Sequence, residues 1–251
     1  MKKSHLVVLT CTVIPQLASE IKRYSPETRI RDYKISIEKW ASLSDKMSLD
    51  VLVVENSNSM AYLKSHISGA FRETINFQSV TPPNISNDEG ISKGEFNMLK
   101  DSLIRYLDSY DFIWKCSGRN FPINCNRLLF YKSADVIVER FTKPHLSADS
   151  RFFGMTSELW RGFLSGNPSF SRSDTDPTSH EFNSMEHFLT RFATDLGFKG
   201  KVVDCFPEIP IFSEKSGSLN KQIMSPKRII TLKALNRFRK VLRRVALGYL
   251  L

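Results

Sequence analysis

Asp111 to Asn124 reads D-F-I-W-K-C-S-G-R-N-F-P-I-N. Phe112 to Trp114 is an apolar run too brief for a helix and made of residue types that suit a buried strand. Past it stand Lys115, Ser117, Gly118 and Arg119: two cations, a hydroxyl and a flexible backbone position, before Pro122 breaks the pattern. In an open α/β sheet ligands bind beyond the C-terminal ends of the strands, because loops and helix N-termini converge there. Cations beside a glycine suit a phosphate-bearing ligand, since arginine offers a planar fork and glycine lets the backbone approach closely. A basic surface turn would read the same way, so the stretch has to be weighed with its surroundings.

Upstream, residues 5–14 form a continuous apolar strand of the kind parallel sheets use, ended by Pro15. Ile30, Tyr33, Ile37 and Trp40 then recur at steps of three, four and three, which predicts a helix over 29–41. Leu49 to Val54 is a second strand running into the polar turn Glu55-Asn56-Ser57-Asn58-Ser59, and 60–71 suits a short helix. Pro82, Pro83 and Asn84 lead to N-D-E-G-I-S-K-G-E at 87–95, and from there a helix runs through Asn97, Leu99, Leu103 and Leu107 into the Asp111 stretch. The N-terminus of that helix can hold an anion. Strand and helix alternate, which predicts an α/β fold with a mostly parallel central sheet flanked by helices. Downstream, strands are expected at 134–139, 151–155 and 201–205, and helices from Trp160 and over 185–196. Between those helices lies a loop rich in Ser, Asp and Pro at 165–179, and no internal repeat is visible.

The net charge of +10 is unevenly placed. Glu214 is the last acidic residue and ten Lys and Arg follow it, which leaves 26 basic against 26 acidic residues in 1–214. A neutral body with a basic tail argues for a partner of the tail, and no recognition motif for nucleic acid accompanies it. Cysteines 11, 116, 125 and 205 have no metal-ligand spacing and read as reduced thiols of a cytoplasmic protein. The apolar N-terminal run is short and broken by Thr10 and Thr12, so it reads as a first strand and not a signal peptide. No run reaches the ~18 apolar residues of a membrane span.

The order of strand, E-N-S-N-S, N-D-E-G-I-S-K-G-E-F-N opening a helix, and a strand ending in a polar turn resembles the GT-A fold of nucleotide-sugar glycosyltransferases. The likeness covers roughly residues 5–205 and is one of order and spacing. In that family the turn after the second strand usually reads D-D-G-S and contacts the nucleoside, and a segment like G-x-x-x-A-R-N-x-G opens the helix before a metal-binding D-x-D. Glu55, Asn56 and Ser57 match the first loosely, and Gly90, Lys93 and Asn97 the second. Where D-x-D should stand, this chain has Lys115-Cys116-Ser117-Gly118-Arg119, similar to the K-x-[ST]-G-R stretch of some bacterial capsule and lipopolysaccharide transferases. The resemblance implies that cations replace a divalent metal in neutralising the diphosphate leaving group.

The donor-binding set implied is Thr10, Glu55, Asn56, Ser57, Lys93, Asn97, Lys115, Ser117, Gly118 and Arg119. No metal or other cofactor is expected, and Asp174-Thr175-Asp176, a literal D-x-D in the Ser-rich loop, is the fallback metal site. Ser184 to Leu189 is similar in position to the E-D-x-x-L segment of inverting GT-A enzymes, which makes Glu186, with His187 as second choice, the catalytic base. Trp160, near Glu158, is the acceptor-binding expectation.

Residues 1–213 are thus expected to form the transferase domain and 214–251 a basic amphipathic tail. In the tail Leu235, Phe238, Leu242, Val245 and Tyr249 recur at helical spacing, with Lys233, Arg237, Lys240 and Arg244 on another face. Such a helix suits an anionic bilayer, so residues 226–251 are the expected membrane contact on the cytoplasmic side. The partners implied are a nucleotide-sugar donor and a lipid-linked surface glycan. A basic nucleic-acid-binding protein and a non-catalytic scaffold with a degenerate transferase fold are the alternatives.

Overall fold

The computed structural model describes residues 3–16, 25–84, 90–129, 134–140, 148–170, 184–201, 203–204, 206, 208–212 and 230–235. Its centre is a seven-stranded sheet in the order β3-β2-β1-β4-β6-β5-β7, comprising β1 (Lys3–Cys11), β2 (Asp50–Glu55), β3 (Asn76–Ser79), β4 (Tyr110–Ser117), β5 (Val136–Arg140), β6 (Ala148–Thr156) and β7 (Val203–Asp204). The β3-β2-β1-β4 half is parallel, β6 runs against both β4 and β5, and β7 is parallel to β5. The expected mostly parallel sheet is therefore present, with β6 as its reversed strand.

Both faces of the sheet are covered, as the unbroken apolar runs require. One face carries α1 (Pro26–Met47), which buries Ile30, Tyr33, Ile37 and Trp40 against Val7, Leu9, Val51 and Val53. The periodicity of α1 is legible in the sequence, and its start is fixed by Ser25, whose hydroxyl accepts from the Thr28 N–H, and by Pro26 in the first turn. The other face carries α4 (Gly90–Leu103), α6 (Ser157–Ser165) and α7 (Met185–Phe198), packed over Leu6, Val8, Ile113, Val138 and Phe153. Gly154 lets β6 lie flat on β4: a Cβ there would come within 2.5 Å of the Phe112 and Trp114 rings.

Several expectations are corrected. The helix expected over 60–71 is two short ones, α2 (Met60–His66) and α3 (Gly69–Thr74), parted where Ile67 takes an extended backbone. The four residues of β3 and the single turn α5 (Cys125–Leu128) carry too little periodicity to be read from sequence. The strand at Phe112 continues through Ser117, so Lys115 lies inside the sheet and not in the turn beyond it. Trp160 is fully buried, donates from its indole N–H to the Ile113 carbonyl at 2.9 Å and stacks on Phe153, so it packs the core and is no platform for an acceptor sugar. Glu158 sits in the first turn of α6, after the end of β6 that pairs with the start of β4, and forms an exposed ion pair with Lys201. It therefore lies at the sheet edge opposite the ends of β1 and β4. Of the tail, only 230–235 is described: a helical stretch in which Leu232 packs on the core while Ile230 and Leu235 are exposed. The rest of the tail, and Asp174 and Asp176, lie outside the described residues.

Candidate active site

The C-terminal ends of β1, β2 and β4 open into a cavity of about 260 Å3. Its walls come from the loop after β1 (Thr12, Ile14, Pro15), from Asn56 after β2, from α1 (Arg29, Tyr33), from α4 (Ile91, Glu95, Met98), from Ser117 at the end of β4 with Gly118 and Arg119 beyond it, and from Ser150 and Glu186. Parallel strands and the N-terminal turns of α4 and α7 thus bring residues far apart in sequence to one place.

The β1 loop is held by side chains from α1 and β2. Tyr33 Oη accepts from the Thr12 N–H at 2.9 Å and donates to the Thr12 carbonyl at 3.0 Å. Arg29 donates from Nε to that carbonyl at 2.6 Å and from Nη2 to Tyr33 Oη at 2.9 Å. Thr12 Oγ1 donates to Asn56 Oδ1 at 2.7 Å. Glu55 is fully buried beneath this loop, and its carboxylate accepts from the backbone N–H groups of Val13, Ser57 and Ser59 and from the Ser57 hydroxyl. Ser57 Oγ in turn accepts from Val13 and Ile14. Glu55 and Ser57 therefore shape the loop and do not line the cavity, which corrects their expected role as nucleoside contacts; Asn56 alone of that triplet reaches the wall.

At the end of β4, Gly118 donates its N–H to the Thr10 carbonyl at 2.8 Å. A Cβ at Gly118 would lie 2.4 Å from Cys11 Sγ and 2.8 Å from the Thr10 carbonyl oxygen, so only glycine allows this turn to approach β1. The approach carries Arg119 to the cavity wall. Cys11 behind it is buried, and burial together with the Glu55 carboxylate holds its thiol well above the ordinary range, so it stays neutral.

Lys115 is the largest departure from expectation. It is fully buried, and its three ammonium N–H groups are matched by Glu95 Oε1 at 2.6 Å, the Ser150 carbonyl at 2.6 Å and Ser117 Oγ at 3.2 Å. A cation so saturated is a floor beam of the cavity and does not present its charge to a diphosphate. Glu95 Oε1 also accepts from Thr10 Oγ1 at 3.1 Å. Ser150 continues the chain, donating from Oγ to Glu186 Oε1 at 2.5 Å. Beside it, burial disfavours the Arg151 cation, but the bonded Asp149 and nearby Glu186 outweigh that and raise its pKa, and the guanidinium lies over the Phe212 ring.

The structure brings together Thr10, Asn56, Ser117, Gly118, Arg119 and Glu186 of the expected residues, and leaves Lys93, Asn97 and His187 off the cavity wall. The His187 ring instead meets the Ser184 hydroxyl at 3.0 Å. Sequence reasoning misses Thr12, Arg29, Tyr33, Glu95 and Ser150. Tyr33 reads as apolar packing alone in the helical pattern, whereas its hydroxyl serves the loop and accepts from Arg29 one turn before it; Thr12, Glu95 and Ser150 show their role only through partners 20 or more residues away.

The GT-A fold implies a divalent metal at the end of the fourth strand. There the chain offers a hydroxyl, a glycine and an arginine, which suit an anion, while the Glu95 and Glu186 carboxylates stand on other walls of the same cavity. Among the described residues no three His, Cys, Asp or Glu side chains gather into a metal-binding group.

No protein-family model matches the chain, and no curated protein matches it by sequence. Solved structures do match. A candidate nucleotide-diphospho-sugar transferase from Desulfovibrio desulfuricans G20 aligns with TM-score 0.50 at 7% identity, covering 82% of this chain and 80% of that one. An active-site mutant of LgtC aligns with TM-score 0.50 at 12% identity, over 80% of this chain and 72% of that one. The chain thus has a mixed α/β fold similar to that of the GT-A nucleotide-sugar transferases; at such identities the likeness establishes the fold alone.

Proposed function

We propose that the chain is a glycosyltransferase that takes a sugar from a nucleotide-sugar donor held in the cavity at the ends of β1, β2 and β4. The observation that carries this reading is that Arg119, brought in by Gly118, and Glu186, braced by Ser150, line one cavity at the ligand-binding edge of a GT-A-like sheet. Thr12 and Asn56 hold the nucleoside end, and Arg119 meets the diphosphate, where a fixed cation stabilises the charge that develops on the leaving group. The acceptor hydroxyl oxygen attacks the anomeric carbon, the bond from that carbon to the diphosphate oxygen breaks with its electron pair leaving on the nucleoside diphosphate, and the hydroxyl proton passes to the Glu186 carboxylate. A base acting on an incoming hydroxyl in a single displacement inverts the anomeric centre.

The acceptor in this reading is a lipid-linked glycan of the bacterial surface, lipopolysaccharide O-antigen or capsule, and the enzyme is peripheral on the cytoplasmic face of the membrane. The basic amphipathic pattern of residues 226–251 supports that placement. No helix among the described residues is long and apolar enough to cross a membrane. Removing the residues after Ser225 is expected to abolish sedimentation with anionic liposomes; undiminished sedimentation would remove the tail from the proposal.

The decisive experiment is a panel of nucleotide sugars assayed by release of the nucleoside diphosphate, with and without excess EDTA. One donor turned over, with most of the rate kept in EDTA, is the expected result. No turnover of any donor would refute the transferase reading, and a rate lost in EDTA and restored by manganese would return the metal role to Asp174 and Asp176.

A further inference from the structure

We infer that Lys115 is a positioning residue for the catalytic base and not a ligand of the donor diphosphate. This inference rests on the transferase reading and on Glu186 as its base. Lys115 lies on the face of β4 that also carries Ile113, under the ring of Phe153 at 5.9 Å, and is closed off from solvent. Its ammonium ties three elements together: α4 through Glu95, β6 through the Ser150 carbonyl, and its own strand through Ser117. The Ser150 carbonyl bond fixes the backbone of the residue whose hydroxyl holds Glu186 Oε1, so the route from Lys115 to the base has one intermediate residue. Asp149 and Arg151 on either side of Ser150 are joined to one another, with the Arg151 N–H and guanidinium both on the Asp149 carboxylate, which stiffens the start of β6 against sliding. Loss of the ammonium frees Ser150, and with it the direction in which Glu186 points. A base displaced by a fraction of an ångström still leaves donor binding intact but loses transition-state geometry.

The test is a double-mutant cycle on the full chain with the donor found to be turned over, reading kcat, donor KM and calorimetric affinity for the nucleoside diphosphate. Lys115→Met and Ser150→Ala are each expected to lower kcat by about tenfold or more, with KM and nucleotide affinity held within about threefold. The double variant is expected to be no slower than the slower single one, because both changes cut the same route. Ser150→Ala leaves the Lys115–Glu95 pair in place, so it carries the test should Lys115→Met fail to fold. A Ser150→Ala protein with wild-type kcat overturns the inference, as does a Lys115→Met protein that binds nucleotide more than tenfold weaker yet keeps kcat at saturation. Wild-type protein that turns over no donor instead refutes the transferase reading beneath it.

Discussion

The two edges of the sheet both carry charged side chains, and they hold them differently. At the edge where α6 begins, Arg161 pairs with Asp108 and Glu158 with Lys201, and the acidic partners are 83% and 79% exposed. At the cavity edge Lys115 and Glu55 are fully buried, and each is saturated by hydrogen-bond partners, Lys115 from α4, β6 and its own strand and Glu55 from the β1 loop and the turn that follows it. Long exposed side chains must be ordered for little Coulomb gain, whereas buried charges with matched hydrogen bonds keep one geometry. The cavity edge is therefore built to hold its groups still, and the far edge is not.

The most severe way to break the cavity edge is to push its turn off β1. Gly118→Ala places a methyl against the Thr10 backbone and Cys11, neither of which is a flexible side-chain end. We expect a loss of about 3 kcal/mol of stability, measured by urea unfolding, and loss of nucleotide binding in whatever fraction folds. Glu55→Gln is next: an amide nitrogen replaces one acceptor oxygen among three backbone N–H donors. The expected cost is about 2 kcal/mol by the same method, with a lower affinity for nucleotide as the loop bearing Thr12 loosens. At the far edge Glu158→Ala should change stability by less than about 0.5 kcal/mol and leave turnover unchanged, since it removes one exposed pair. Comparable losses at Glu158 and Glu55 would erase the distinction between the edges.

The alternating strands and helices are readable because β1 and β2 are continuous apolar runs and α1 repeats its apolar residues at helical steps. Arg119, Gly118 and Asn56 are readable as candidate site residues because they stand within a few residues of the ends of strands that the pattern identifies. Lys115 is misplaced by ending its strand at Trp114; once the strand runs to Ser117, the two-residue alternation sets Lys115 on the inner face with Ile113. Glu95 and Ser150 belong to the site through contacts with Lys115, 20 and 35 residues away along the chain. No local pattern announces such contacts. Trp160 illustrates the opposite error, a large aromatic near a carboxylate that satisfies its indole within the core.

In the proposed transferase the cavity beside Arg119 receives the diphosphate of a nucleotide donor. Isothermal titration calorimetry with nucleoside diphosphates, run in parallel on wild-type protein, Arg119→Ala and Glu158→Ala, tests it most directly. One nucleotide is expected to bind wild-type and Glu158→Ala protein equally and Arg119→Ala at least about tenfold more weakly, the loss of one charge-assisted contact. Equal affinity in all three proteins would contradict it.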